Sequence, residues 1–176
     1  MSTHETAAST DSLVDLATRA IGHFVRTGTP LPVPDPLPPE MRGRAGVFVS
    51  IKKAGRLRGC IGTFLPAAET VAHEIIANAI QSASQDPRFP PVAEDELSAL
   101  SVSVDVLGEP EPCEAADLDP SRFGVIAQCG WRRGLLLPDL EGVDTASEQL
   151  DIVRSKAGIA PEESIHLSRF TVERHT

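Results

Sequence analysis

The sequence predicts an α+β fold, a mostly antiparallel sheet flanked by helices. Three observations carry that expectation. Strand-like segments come as hairpin pairs, and strand and helix patterns do not alternate in the way a doubly wound parallel sheet requires. The 176 residues, 41% hydrophobic and 23% charged, are enough for one globular core. Residues 1–10 are expected to be a disordered N-terminus and residues 11–176 a single domain.

A first helix is predicted from Asp11 to Arg26. Leu13, Leu16, Ala17, Ala20, Ile21 and Phe24 recur with helical period, Ser12 and Asp15 resemble a capping box, and Gly28 stops the helix. Six prolines between Pro30 and Pro39 then exclude helix and sheet and predict a stiff extended strap. Gly46 to Lys53 alternates, with Val47, Val49 and Ile51 on one face; Ala54-Gly55 reads as a hairpin turn and Leu57 to Phe64 as the returning strand. With Leu57 and Ile61 in the core, alternation sets Arg58, Cys60 and Phe64 on the opposite face. A bulge at Gly59 or Gly62 would shift that register.

A second helix is predicted from Pro66 to about Gln85, buried along Ala72, Ile75, Ile76, Ala79, Ile80 and Ala83. It ends at Asp86-Pro87-Arg88-Phe89-Pro90-Pro91, whose prolines fix the directions of Asp86 and Phe89. Leu100 to Val106 reads as a strand, Glu109 to Pro120 as an acidic surface loop, and Phe123 to Ala127 with Gly134 to Leu137 as a hairpin around Cys129-Gly130-Trp131. Thr145 and Glu148 cap a third helix with Ala146, Leu150, Val153 and Ala157 on its buried face, ended by Lys156 and Gly158. Ser164 to Val172 is a final strand.

Net charge of −9 disfavours nucleic acid and anionic membranes as partners. No apolar run is long enough to cross a membrane, no signal peptide is visible, and three scattered cysteines make no disulfide framework. A cytoplasmic protein is the expectation.

The heptad Arg58-Gly59-Cys60-Ile61-Gly62-Thr63-Phe64 resembles the hallmark of the AMMECR domain family. Further blocks agree in order: Gly46 to Ile51, Asp86 to Val92 with Glu96-Leu97, Val102 to Pro112, Gly134 to Pro138, and Lys156 to Ile159. The resemblance spans roughly residues 11–173. It implies a two-lobed α+β domain with a smaller second lobe and the heptad near the cleft between lobes. Free-standing bacterial members resemble protein A of the AmmeMemoRadiSam system, which implies a Memo-like protein and a radical SAM protein as partners. No reaction is implied. Two positions depart from the pattern: Asp139 stands where a Gln is usual, and Gly142-Val143-Asp144 where a Trp is expected.

Cys60 heads the candidate residues. One reading is a reactive thiol, with Arg58 stabilising a thiolate or anion and the flanking Gly59 and Gly62 giving a substrate access. The other is a small buried hydrophobe, as free cysteines commonly are. Thr63 and the glycine amides would donate hydrogen bonds to a ligand. His73 is the nearest helical histidine in sequence. Asp86 and Arg88 read equally as ligand-binding groups or as a turn cap with a structural ion pair. Six basic residues and no acid between Met41 and Arg58 suit an anionic ligand, or equally a strand edge guarded by charge. Cys113 and Cys129 read as incidental. The five histidines show no metal-ligand spacing, so no metal and no cofactor is expected. Two functions are weighed: a protein that binds a small anionic ligand in the cleft between the lobes and acts with the Memo-like and radical SAM partners, with Cys60 as its candidate reactive group, or a non-enzymatic adaptor whose heptad is structural.

Overall fold

A computed structural model describes residues 10–176; the disordered terminus expected over 1–10 lies, except for Thr10, outside the described residues. In chain order the elements are α1 (Ser12–Thr27), β1 (Val47–Lys53), β2 (Arg56–Thr63), α2 (Val71–Ser84), β3 (Leu100–Leu107) and β4 (Glu111–Cys113). Then come β5 (Gly124–Cys129), β6 (Arg132–Leu136), α3 (Ala146–Ala157), β7 (His166–Phe170) and β8 (Val172–His175). The strands form two four-stranded sheets, ordered β2-β1-β3-β8 and β4-β7-β5-β6, and every strand pair whose register is resolved is antiparallel. This is the α+β class expected. No helix among the described residues is long and apolar enough to cross a membrane. The described chain divides into two compact units, residues 10–106 with 174–176, and residues 107–173.

In the first unit, α1 buries the predicted apolar stripe, Leu13 to Ile21. Its cap differs from expectation. Asp11, not Ser12, accepts from Leu13 N and Val14 N, because it stands where the first free amides point, and Ser12 donates to Glu40 instead. Gly28 closes the helix in the left-handed region as predicted (φ 72°). The proline strap is tied down by Leu31, Val33 and Leu37, which pack against the core.

The β1–β2 hairpin turns through Ala54 (φ 50°) and Gly55 (φ 74°), the paired left-handed geometry of a type I′ turn. Val47, Val49 and Ile51 face the helices and are fully buried. They oppose Thr63, Ile61 and Gly59, and then the register shifts, so that Lys52 opposes Leu57 and Arg58 is the extra residue of a bulge. Two expectations fall with that shift. Leu57 is not in the core but 40% exposed, and Arg58 does not share the face of Cys60.

The second helix starts later than predicted, at Val71 with Thr70 as cap, and Pro66 stays in a loop. The reason is Glu74, whose carboxylate accepts from Ala67 N (3.0 Å) and Ala68 N (2.7 Å) and so holds that loop outside the helix.

In the second unit, α3 packs on β5 and β6 around Val125, Ala127, Leu136 and Val153. Its Thr145–Glu148 capping box and left-handed Gly158 are as predicted. The acidic segment contains the short strand β4, and the single final strand expected over Ser164 to Val172 is two strands, β7 and β8, which belong to different sheets. Trp131, at the β5–β6 turn, is 92% exposed. Asp139 takes a left-handed conformation (φ 56°) and its N–H donates to Pro120 O.

Candidate functional site

The heptad strand β2 is an edge strand, and its backbone is held by side chains from α2 and the segment after it. Glu74, Asn78 and Ser82, spaced four apart on α2, form a buried polar ladder against the hairpin. Glu74 accepts from Thr63 Oγ1 at 2.6 Å. Asn78 Nδ2 donates to Val47 O at 2.9 Å. Ser82 Oγ accepts from Ile61 N and donates to Val49 O, both at 2.8 Å. The ladder binds carbonyls of the inner strand β1 and satisfies the Ile61 N–H, which the edge strand β2 would otherwise leave to water or to another chain.

Asp86 continues this work beyond the helix. Its buried carboxylate accepts from Cys60 N at 3.0 Å, from Arg88 N at 3.0 Å and from Arg88 Nη2 at 2.7 Å. Hydrogen bonds from the Arg88 side chain hold the Asp86 carboxyl well below the usual carboxylate range. Arg88 also reaches Cys60 O at 3.4 Å, so the peptide groups on both sides of Cys60 are gripped by one ion pair. The structure therefore brings Asp86 and Arg88 to the backbone of Cys60, and what they bind there is protein.

Arg58 does something else. Its guanidinium makes a forked contact with Glu96 (3.0 and 2.9 Å) and donates to the carbonyls of Pro90 (2.8 Å) and Pro91 (3.3 Å). Glu96 also binds Lys53 at 3.0 Å, and Lys53 belongs by alternation to the helix-facing row of β1. Arg58, followed by the Ala93 amide and Lys53, lowers the Glu96 carboxyl from 4.5 to about 2. The expected role of Arg58 as thiolate or anion stabiliser is corrected accordingly: the bulge sends it to a carboxylate and two carbonyls.

The glycines are also engaged. A Cβ on Gly59 would fall on the Ser82 carbonyl oxygen, and one on Gly62 would enter the Phe48 ring. They serve close packing of helix and ring, not the access to sulfur expected of them. The Thr63 hydroxyl is given to Glu74, and the His73 ring contacts the cap residue Thr70 (2.8 Å).

Cys60 remains. It opposes Ser50 across the β1–β2 pair, and its Sγ lies 3.2 Å from Ser50 Oγ. Ser50 sits between the buried Val49 and Ile51, so this pair faces away from the helices. Lys52, two residues on, and Ser103, opposite Ser50 on β3, share that face. Cys60, Ser50 and Ser103 are half-buried and Lys52 is exposed. The other two thiols differ: burial pushes the Cys113 thiol up, and Cys129 lies beside the Arg132–Glu163 ion pair. Among the described residues no three His, Cys, Asp or Glu side chains are grouped to hold a metal ion.

The AMMECR1 family model matches residues 14–175, which includes every residue of this network. The chain belongs to the AMMECR1 family. A Thermotoga maritima protein is 51% identical over 166 residues, covering 92% of this chain and 95% of its own length. A Clostridium acetobutylicum protein is 47% identical over 167 residues; the match covers 94% of this chain and 36% of that longer protein. The crystal structure of an uncharacterised protein from Pyrococcus horikoshii is similar at a TM-score of 0.84 and 36% identity, over 92% of this chain and 88% of that one. Within the AMMECR1 heptad, then, Arg58, Gly59, Gly62 and Thr63 are engaged internally, and the Cys60 thiol is left on a sheet face beside a serine.

The residues that sequence reasoning missed are Glu74, Asn78, Ser82, Glu96 and Ser50. The first three carried a readable signal, a polar stripe of helical period beside the apolar stripe of α2. Glu96 lies in one of the matched sequence blocks, but its partner depends on the bulge.

Proposed function

We propose that this AMMECR1-family protein binds a small anionic molecule on the sheet face around Cys60, in the cytoplasm, beside Memo-like and radical SAM partners. The observation that supports ligand binding is the asymmetry at Cys60. Its backbone is held by Asp86 and Arg88, while its thiol faces the other way against Ser50. A fixed backbone under a small polar side chain is the arrangement a preorganised contact needs. Lys52, exposed on that face, supplies the positive charge. The partners rest on the family resemblance alone.

Competitive alkylation tests this reading. Iodoacetate and iodoacetamide differ in charge but not in chemistry, so their rate ratio at each cysteine reads the local field. We expect that ratio to be on the order of 3-fold higher at Cys60 than at Cys113, and to fall in Lys52→Glu. An equal ratio at both cysteines, or a Cys60 that neither reagent modifies in the folded protein, contradicts the reading.

The internal engagement of Arg58, Thr63 and the glycines favours a second reading, an adaptor whose heptad only supports the fold. On that reading Cys60→Ala leaves partner binding unchanged.

A further inference from the structure

On the helix side of the same sheet, the C-terminal half of α1, the strap, the Glu94–Ala99 turn and β3 enclose a groove of about 540 Å³, within the range of small-molecule sites. Leu31, Leu97, Leu100 and Val102 form an apolar wall. Facing it, α1 presents Gly22 with Arg19, His23 and Arg26, all on one helical face. We propose that this groove binds a linear fatty carboxylate, with its alkyl chain against the apolar wall and its head group between Arg19 and Arg26.

Four features carry the proposal. First, Gly22 stands in the interior of a helix, where glycine is unfavourable, and a Cβ there would meet only the far end of the Arg26 side chain. Any larger side chain would project into the groove. Second, the rim cations are weakly committed. Arg19 lies 3.5 Å from Asp15 and Arg26 lies 3.4 Å from Glu94, with all four side chains more than half exposed. Such pairs contribute little and exchange readily for a ligand carboxylate. Third, Arg19, His23 and Arg26 bring two guanidiniums and an imidazole to one face of α1, so a carboxylate head group can take the place of Asp15 and Glu94 there. Fourth, away from Arg19, His23, Arg26 and Ser98 the groove offers few hydrogen-bonding partners. The Thr18 and Thr27 hydroxyls donate to carbonyls of their own helix, and β3 is an inner strand with no edge for an extended peptide. A hydrocarbon chain asks for none of these partners; a peptide or a sugar does.

The test is a titration of the full chain with decanoate, followed by amide chemical shifts. Decyltrimethylammonium serves as the matched cation, both kept below their micelle-forming concentrations. We expect saturable shifts at Gly22, Leu97 and Val102, and binding of the cation weaker by about tenfold or more. Gly22→Leu, which fills the groove, should abolish decanoate binding. Arg19→Gln/Arg26→Gln, made at exposed positions, should weaken it about fivefold or more while leaving the fold intact. Should Gly22→Leu fail to fold, the double arginine variant decides. No saturable shift, shifts confined to other residues, equal affinity for the two detergent charges, or full affinity in the double variant would overturn the proposal.

Discussion

Asp86→Ala should lower the unfolding free energy by about 3 kcal/mol, measured by urea denaturation at neutral pH. The carboxylate is buried, and its removal strands Cys60 N–H and Arg88 N–H and frees the Arg88 side chain from its anchor. Asp86→Asn should be nearly as costly, because one oxygen becomes a donor pointed at donors. The pH dependence has a definite sign. The folded carboxyl is held below its ordinary value of 3.8, so its contribution is complete above that value and is lost as pH falls below it toward the folded value. The wild type should therefore lose stability in acid more steeply than Asp86→Ala. Parallel acid profiles, or a loss at neutral pH under about 1 kcal/mol, would show that Asp86 is not part of the support of β2.

Gly59→Ala is expected to cost about 3 kcal/mol, the upper end of what one added methyl does in a packed interior. The obstacle is the main-chain carbonyl of Ser82, which cannot swing aside as a side-chain tip would, so β2 and α2 must separate. Gly43→Ala is the control. Nothing lies within 4 Å of a Cβ at that position, and the change should stay within about 0.5 kcal/mol of wild type. A loss under about 1 kcal/mol for Gly59→Ala would mean that close packing against the Ser82 carbonyl does not require the glycine.

The sequence disclosed the parts of this protein that local rules govern. The Ala54-Gly55 turn, the Thr145–Glu148 box, the Gly28 and Gly158 stops and the apolar stripes of α1 and α2 all stand in the structure where period and capping chemistry placed them. The misreadings came from interactions between distant residues. A single bulge residue reversed the alternation before Gly59, moving Leu57 out of the core and Arg58 to Glu96, thirty-eight positions away. Alternation cannot anticipate an inserted residue, although the glycine beside it is a standing warning. The start of α2 was displaced because Glu74 captured two amides of the preceding loop, a choice invisible to helix propensity. The split of the last strand likewise depends on pairing, since β7 and β8 continue one strand-like run but join different sheets. At the candidate site, Cys60, Asp86 and Arg88 were visible as residues. Their relation was not: the acid and the arginine grip the cysteine's peptide groups, and the thiol is turned to Ser50.

If the family heptad is a scaffold that fixes the Cys60 backbone, hydrogen exchange at the Cys60 amide reports it. Edge-strand amides that face water exchange by local fraying, far faster than global unfolding allows. Here the Cys60 amide should exchange only through global unfolding, and Asp86→Ala should lower its protection well beyond the loss seen at core amides such as Val49. A Cys60 amide that exchanges in the wild type as quickly as an exposed edge amide, or one left unaffected by Asp86→Ala, would contradict it.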